Sequence, residues 1–539
     1  MVKHVLKQIT NYLSISCIIL LATSCENNSK TNNNHLVFKY NEHKNIGSLD
    51  PAFSKDISDI WATNQLFNGL VQMDEKLNIQ PCIAKSWTIS EDALTYSFSL
   101  RPDVFFHKHK LFGKDSTRTV NAKDFEYSLN RLIDKKIASP GGWVLDKVER
   151  FKAINDTLFQ IQLKQPFPAF LGLLTMKYCS VVPKEIVEFY GSDFRSHPIG
   201  TGPFKFKQWE ENLKLVFRKN PNYFEKDSLG NALPYLEAVA ITFLPDKQSE
   251  FLQFIQGNID FIIGLDASYK DEILTASGKL RNEYSEAVDM VRGPYLNTEY
   301  LAFYMDSEIP EIQSELIRKA INYGFDRRKM MIYLRNGIGI PAEGGFIPKG
   351  LPGYGETLGF SYKPDIAKQL VEQFKNESGI KNPEISITTT GNYLSFSEYI
   401  QREIQKIGLI VNIDVIPGSA LKDAKANGKL DVFRASWVAD YPDAENYLSL
   451  YYSKNFAPNG PNYTHFKSEL FDTWYEKAFT ETNVEKRTLL YTKMDSLIMT
   501  QAPIVPLFYD EIVRFTRKNV KGLAVSPVYV LELKRVNKN

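Results

Sequence analysis

Cysteine and histidine are scarce in this chain of 539 residues, which contains 4 cysteines and 7 histidines. It also contains no Gly-x-Ser-x-Gly sequence, no His-Glu-x-x-His sequence and no phosphate-binding loop. The few histidines leave little choice of general base, and no catalytic motif is recognisable. From this inventory we predict that the protein is not an enzyme and has no cofactor and no metal site.

Two short stretches resemble ligand motifs without completing them. His107-Lys108-His109 has no evident third metal ligand, so we interpret it as an exposed loop. Gly337-Ile338-Gly339 lacks the third glycine of a nucleotide-binding fingerprint and precedes a proline, which predicts a loop there as well.

Net charge is nearly absent. The chain has 65 basic and 63 acidic residues, and without Lys3 and Lys7 of the N-terminal segment the two numbers are equal. Binding of nucleic acid needs a basic surface, so this balance argues against a nucleic-acid partner.

Long apolar runs are also missing. Residues 13–22 form an apolar run of about ten residues, and a helix that crosses a bilayer needs about 20. With Lys3 and Lys7 before it, the run predicts a signal peptide at residues 1–24. The following Leu21-Ala22-Thr23-Ser24-Cys25 resembles a lipobox, although Ala22 is smaller than the usual residue. We predict that Cys25 is lipidated, that residues 25–36 form a tether, and that the exported protein is anchored on the periplasmic side of a membrane. An ordinary cleaved signal peptide is the alternative.

Two cysteines, Cys82 and Cys179, follow the tether. An exported protein can pair such residues, but nothing in their spacing demands a bridge. Two buried free thiols are the preferred interpretation, and a disulfide stays open.

Hairpin patterns dominate the first half of the chain. Gly200-Thr201-Gly202-Pro203-Phe204 predicts a tight turn, in which the glycines adopt backbone angles that other residues avoid. Alternation of apolar and charged residues then predicts two strands that end at Asn220-Pro221. One helix is predicted to begin at Asn121, a favourable N-cap.

The second half has the texture of an α/β structure. Helical stripes occur at residues 312–321 and after Pro364, and a strand, a helix and a strand are predicted over residues 385–415. Such a unit predicts a parallel strand pair with a right-handed crossover. Residues 504–508 and 523–533 are also predicted to be strands.

Several motifs in a fixed order resemble one family. The turn at residues 200–204 is followed by Asn220-Pro221-Asn222-Tyr223-Phe224, and similar matches occur at residues 49–51, 66–70, 84–87, 96–101, 318–327 and 437–443. Together they resemble the family 5 extracellular solute-binding proteins, which are peptide and oligopeptide receptors of ABC importers. The resemblance runs from about residue 37 to about residue 536.

This resemblance implies an α/β fold, a two-lobe periplasmic-binding-protein clamp of type II with an extra subdomain inserted in lobe I. Residues 37–71, 199–299 and 507–539 would form lobe I, and residues 72–198 the inserted subdomain. Residues 300–506 would form lobe II, with chain crossings near residues 300 and 506 and with Tyr300 and Phe303 in the hinge core.

The resemblance also implies a ligand site. Asp440 would accept the free α-amino group of a bound peptide, and charge-assisted bonds of this kind contribute about 1.5–3 kcal/mol. Arg434 would engage the peptide carboxylate, because a guanidinium can contact both carboxylate oxygens. A turn aspartate and an arginine on an exposed edge strand are the respective structural alternatives.

Strand addition is the second element of the implied site. Trp437 would wall a side-chain pocket, with plain core packing as its alternative. The backbone of residues 435–438, including Ser436 and Val438, would bond an extended peptide, and residues 55–59 would contribute the opposite wall.

The function implied is a lipid-anchored, monomeric receptor that captures short peptides and delivers them to an ABC permease. Within the family, a nickel chelate, haem or an oligosaccharide are alternative solutes. A secreted hydrolase that uses carboxylates such as Asp440 and Asp443, or a chaperone-like lipoprotein, are alternatives from other classes.

Overall fold

The computed structural model describes residues 36–264, 266, 269–355 and 359–539. The predicted signal peptide, Cys25 and all but the last residue of the predicted tether lie outside the described residues. The helices are α1 (Ile57–Leu66), α2 (Ala122–Ile133), α3 (Phe170–Leu173), α4 (Lys184–Tyr190), α5 (Lys247–Ile255), α6 (Lys270–Ile273), α7 (Pro310–Gln313), α8 (Glu315–Tyr323), α9 (Arg327–Arg335), α10 (Pro364–Ser378), α11 (Leu394–Gln405), α12 (Gly418–Ala426), α13 (Glu445–Leu448), α14 (Glu469–Thr480) and α15 (Val484–Gln501).

The strands alternate with these helices mainly in the second half of the chain. They are β1 (Val37–Asn41), β2 (Val71–Met73), β3 (Ile79–Pro81), β4 (Ala84–Ile89), β5 (Thr95–Leu100), β6 (Val148–Asn155), β7 (Leu158–Leu163), β8 (Phe204–Glu210), β9 (Lys214–Lys219), β10 (Ala238–Thr242), β11 (Phe261–Ile263), β12 (Val288–Phe303), β13 (Ile340–Pro341), β14 (Glu384–Thr389), β15 (Ile410–Val415), β16 (Val432–Val438), β17 (Ile504–Arg517), β18 (Val520–Lys521) and β19 (Asn537–Lys538).

One large sheet runs through both halves of the described chain. Its strand order is β15-β14-β16-β12-β17-β11-β1-β10-β9-β8, with β13 paired to β17. The long strands β12 and β17 are antiparallel partners, and Tyr300 lies opposite Pro506 in their register. The two predicted crossings are therefore neighbours in one ladder, and Tyr300 and Phe303 are buried in the core as predicted.

The predicted strand–helix–strand unit is confirmed. Strands β14 and β15 are parallel, with Ile385 opposite Val411, and α11 connects them. Helix α11 buries Ile400 and Ile404 in the same apolar cluster as these two strand residues. The period of the apolar residues is thus sufficient to identify both element types here.

A separate four-stranded sheet, in the order β4-β5-β7-β6, lies within residues 84–163. Helix α2 packs on it through Phe125, which lies 5.8 Å from Phe159 between ring centroids. The predicted N-cap is confirmed, since Asn121 and Asp124 form a reciprocal capping box. The boundaries assigned to the lobes and to residues 72–198 stay a prediction.

The turn at residues 200–204 requires glycine because its backbone lies very close to the backbone of Leu66. Neither Gly200 nor Gly202 has a positive φ, so the prediction of unusual backbone angles is wrong. A Cβ on Gly200 would lie 2.1 Å from the Leu66 carbonyl oxygen, and one on Gly202 would lie 2.4 Å from the Leu66 carbonyl carbon. The glycines are needed because the end of α1 lies directly against this turn.

His107 joins the same turn and is buried, so the prediction of an exposed loop is wrong for this residue. Its Nε2 donates to the Gly202 carbonyl at 3.0 Å, and its Nδ1 accepts from the Gly200 N–H at 3.3 Å. Burial lowers the pKa of His107 to about 4. The neutral imidazole of His107 therefore stabilises the turn through two hydrogen bonds.

Residues 523–533 are not a strand, contrary to the prediction. Side chains from other elements satisfy their carbonyl groups in place of a ladder. Asn64 and Gln65 donate to the Leu531 carbonyl at 2.9 and 2.8 Å, and Trp61 donates to the Tyr529 carbonyl at 2.6 Å. This part of the chain is instead an irregular segment that packs against α1.

Cys82 and Cys179 are both free and buried. Burial raises the pKa of each thiol to about 12. Among the described residues, no group of three or more metal-ligating side chains occurs. No helix in this part of the chain combines the length and apolar character that a bilayer crossing requires.

Candidate functional site

Strand β16 has an open edge at the position where the sequence predicts the site. On one side it pairs with β12 along its whole length. On the other side β14 pairs only with Val432 and Phe433. No other strand of the described residues pairs with that edge, so residues 434–438 expose one side of their backbone.

The register shows which backbone groups are free. The Ala439 N–H donates to the Leu296 carbonyl, and the Asp431 carbonyl accepts from the Tyr304 N–H, so odd-numbered residues of this run bond to β12. In an antiparallel pair the alternate residues point their N–H and C=O groups the other way. Ser436 and Val438 therefore present main-chain donors and acceptors at the open edge, as does Arg434.

Asp440 follows this edge immediately and lines a cavity of about 690 Å³. Its side chain is exposed to the cavity, yet the surrounding protein partly desolvates the carboxylate and raises its pKa. An amide hydrogen bond from Asn446 at 3.4 Å opposes this shift. No lysine or arginine of the described residues forms an ion pair with Asp440, so its charge is available to a cation.

Asn446 organises the predicted site, although no sequence motif marked it. Its Oδ1 accepts from the Trp437 indole N–H at 2.9 Å and from the Asp440 backbone N–H at 3.2 Å. The residue is buried on the short helix α13. Trp437 and Asp440 are thereby held on one polar side chain, and both line the same cavity.

Tyr178, Asp56 and Asp59, from the first half of the chain, belong to the same electrostatic environment as Asp440. Burial and the nearby carboxylates of Asp440, Asp56 and Asp59 raise the pKa of Tyr178 to about 12. Asp56 and Asp59 belong to the segment at residues 55–59 that the sequence suggested as an opposite wall. This electrostatic environment is acidic and suits a positively charged group.

An aromatic cluster lines part of the cavity. Phe167 and Phe479 stack at 4.8 Å between centroids, and Phe167 meets Tyr441 edge to face. A Cβ on Gly172 would lie 3.3 Å from the ring of Pro442. The loop that carries Asp440 therefore packs directly on α3, within the predicted inserted subdomain.

Arg434 lies on the open strand but is not part of this cavity lining. Its Nε and Nη2 donate to Oε2 of Glu299 at 3.1 and 2.5 Å, and its guanidinium lies 3.5 Å from the centre of the Tyr393 ring. Glu299 is buried, and burial raises its pKa while Arg434 opposes the shift. Nothing in the sequence pattern pointed to Glu299, because a single acid on a strand gives no signal.

Comparison with known proteins shows which family this chain resembles. The model for bacterial extracellular solute-binding proteins, family 5 middle, matches residues 78–459. Di/tripeptide-binding protein 2 of Pseudomonas aeruginosa is 27% identical over 515 residues, which are 90% of this chain and 92% of that protein. Heme-binding protein A of Haemophilus influenzae is 24% identical over 547 residues and covers 96% of each chain.

Solved structures show the same fold. The ABC transporter-associated periplasmic binding protein DppA from Helicobacter pylori, in complex with peptide STSA, aligns with a TM-score of 0.73 at 26% identity, over 93% of this chain and 98% of that chain. HbpA2 from Haemophilus parasuis aligns with a TM-score of 0.79 at 22% identity, over 93% and 100% of the two chains.

The fold is thus the two-lobe α/β clamp of these periplasmic proteins. The proteins of this family are transport receptors outside the cytoplasm, and they are not enzymes. Because the family model matches most of the sequence, this chain belongs to the family 5 bacterial extracellular solute-binding proteins.

Proposed function

We propose that the protein is a lipid-anchored receptor that captures short peptides and presents them to an ABC permease. The observation that carries this proposal is the carboxylate of Asp440, which lines a cavity at the end of an open strand edge and has no ion-pair partner among the described residues. The α-ammonium group of a peptide would pair with Asp440, and its backbone would add as a strand beside Ser436 and Val438.

This assignment explains why the ligand would be a peptide in particular. The amine-to-carboxylate pair and the main-chain bonds recognise groups that every peptide carries, so affinity would depend little on side chains. Trp437 would offer an apolar wall, held in place by its bond to Asn446. Relatives named for di- and tripeptides and for a bound tetrapeptide support the same class.

The cellular setting is part of the proposal. Acylation at Cys25 would anchor the receptor on the periplasmic side of a membrane, and residues 25–36 would be its tether. Lobe I would close against lobe II by hinge motion. In this assignment lobe I consists of residues 37–71, 199–299 and 507–539 with the insert at residues 72–198, and lobe II consists of residues 300–506. The receptor would act as a monomer and would carry out no chemistry on its ligand.

The test compares the parent protein with Asp440→Asn by calorimetry against di-, tri- and tetrapeptides and their N-acetylated forms. We expect the parent to bind the free peptides and Asp440→Asn to lose at least tenfold in affinity, since one charge-assisted bond contributes about 1.5–3 kcal/mol. N-acetylation should weaken binding to the parent by a similar factor.

Asp365→Asn is the matched control, because it removes one exposed carboxylate from α10 and leaves β16 untouched. Equal affinities for parent and Asp440→Asn would refute the assigned role of Asp440. Mass spectrometry of ligands released from the purified protein tests the solute class. Recovery of haem, a nickel chelate or a saccharide, or turnover of added peptide into fragments, would overturn the proposal.

A further inference from the structure

We propose that Glu299 determines specificity at the far end of the open edge, because it neutralises Arg434 and removes selection for a ligand with a free carboxylate. The ligands would be short peptides or peptide-like amines whose second end is an amide or another group without negative charge. This inference rests on the proposed function, since it uses Asp440 as the anchor of the amine end.

The pairing of Glu299 with Arg434 follows from the strand register. Glu299 on β12 lies opposite Ser436, and Arg434 lies opposite Leu301, so the two charged residues are diagonal neighbours on one face of the sheet. Both Arg434 contacts go to the same Glu299 oxygen, Oε2. The ion pair is therefore a product of two adjacent strands in one ladder, and loop movement is not needed to form it.

Glu299 is held so firmly that a ligand carboxylate would not displace it. Only 2% of its side chain is exposed, and its second oxygen, Oε1, accepts from Asn297 at 3.1 Å and from the Tyr393 hydroxyl at 3.2 Å. Moving this carboxylate away would leave four donor groups, on three side chains, without their acceptor and would strand a buried charge. Glu299 is thus a fixed counterion of Arg434.

Arg434 itself has little freedom to serve a second anion. Its guanidinium is stacked on Tyr393, and 16% of its side chain is exposed. A ligand carboxylate at this position would share one guanidinium with a buried like charge. A second arginine, Arg335, already forms an ion pair with Asp510 at 2.5 Å. Arg335 therefore does not offer a free positive charge to a ligand carboxylate.

Lys425 is another cation near Arg434 and is a competing partner for a ligand carboxylate. Lys425 belongs to α12 and lies 4.3 Å from the centre of the Tyr463 ring. Leu421 of the same helix packs with Phe433 and Ala435. These two residues alternate with Arg434, so α12 covers the opposite face of β16. Lys425 therefore enters the experiment as a separate variant.

The experiment measures the affinities of trialanine and tetraalanine as free acids and as C-terminal amides by calorimetry. For the parent protein we expect acid and amide to differ by less than threefold. For Glu299→Gln, which keeps the shape of the side chain and removes its charge, we expect the free acid to be preferred about tenfold or more. Arg434→Gln, which leaves Glu299 without its counterion, should create no preference for the free acid.

Glu343→Gln is the matched control, since it breaks another arginine–glutamate pair, with Arg328, away from β16. If the parent prefers the acid tenfold, the inference is overturned. Loss of that preference in Arg434→Gln or in Lys425→Met then shows which cation binds the ligand carboxylate. An unchanged ratio in folded Glu299→Gln also overturns it. If no peptide binds the parent, the proposed function fails too, whereas amine-dependent binding with strong acid preference removes only this inference.

Discussion

At the scale of single residues, the proposed binding of the amine depends on one carboxylate, that of Asp440, whose pKa is raised. Partial desolvation raises the pKa of Asp440 above its ordinary value near 3.9. A bound ammonium group stabilises the charged form, so the ligand-bound pKa is lower than the free pKa. Affinity should therefore be complete at neutral pH and should fall as the pH drops through the free-state pKa of Asp440.

Calorimetry of a tripeptide between pH 7 and pH 4 tests this dependence. The parent should lose affinity progressively toward the acid end, and Asp440→Asn should bind weakly with little change over the range. A parent affinity that stays constant down to pH 4 would show that Asp440 is not the group that holds the amine.

His107 predicts a second pH effect, on stability. Its pKa is lowered to about 4 in the folded protein, against about 6.5 when unfolded. The unfolded chain therefore binds the proton first, and the contribution is complete above pH 6.5 and lost as the pH falls toward 4. The loss amounts to roughly 3 kcal/mol, since one pKa unit corresponds to about 1.4 kcal/mol.

Chemical unfolding at a series of pH values should show this slope in the parent and a smaller slope in His107→Gln. His197→Gln, at an exposed histidine, should keep the parent slope. If His107→Gln and the parent lose the same free energy of unfolding between pH 6.5 and 4, the buried neutral state of His107 is wrong.

At the scale of elements, the turn at residues 200–204 shows how packing dictates residue type. A Cβ on Gly202 would lie 2.4 Å from the Leu66 carbonyl carbon and 2.5 Å from the Gln65 carbonyl oxygen, and both partners are backbone atoms. We expect Gly202→Ala to lower the free energy of unfolding by about 2–4 kcal/mol.

Gly418→Ala is the control for this prediction, because Gly418 opens α12 and a methyl group added there would have no atom within 4 Å. Thermal and chemical unfolding should place Gly418→Ala within about 0.5 kcal/mol of the parent. Similar stabilities for the two variants would mean that α1 can move away from the turn.

Local pattern predicted elements well where one face of the element is buried and the other is not. Helix α2 with its capping box and the parallel strands β14 and β15 follow directly from residue spacing. The strand predicted at residues 523–533 is wrong because carbonyl groups of this segment accept hydrogen bonds from Asn64, Gln65 and Trp61, more than 400 positions away in the chain. No local pattern encodes partners of that kind.

At the scale of the whole molecule, Phe479 joins two apolar clusters. It packs against the core of the predicted insert and against the core beneath β16, and it stacks on Phe167 at 4.8 Å. Because Phe167 also contacts Tyr441, next to Asp440, loss of the Phe479 ring should loosen this packing, and Phe479→Ala should weaken peptide binding. The loss should be about three- to tenfold, since aromatic pairs contribute about 0.5–1.5 kcal/mol.

Tyr333→Ala, at an exposed aromatic residue of α9, is the control and should bind as the parent does. Calorimetry gives the affinities, and small-angle scattering with and without peptide gives the change in radius of gyration. Parent-like affinity in Phe479→Ala would show that this contact does not contribute to the ligand-bound arrangement.

Residue spacing and motif order alone predicted several element types, the family, and Asp440, Trp437 and the open-strand residues as candidates, but not the irregular segment at residues 523–533. These follow from short-range spacing and from motif order, which a linear chain displays directly. Tertiary structure alone decided that Glu299 is bonded to Arg434, that Asn446 holds Trp437 and Asp440, and that His107 pins the turn. Each of those contacts joins elements whose meeting depends on strand register and packing, and so on the free energy of the whole fold.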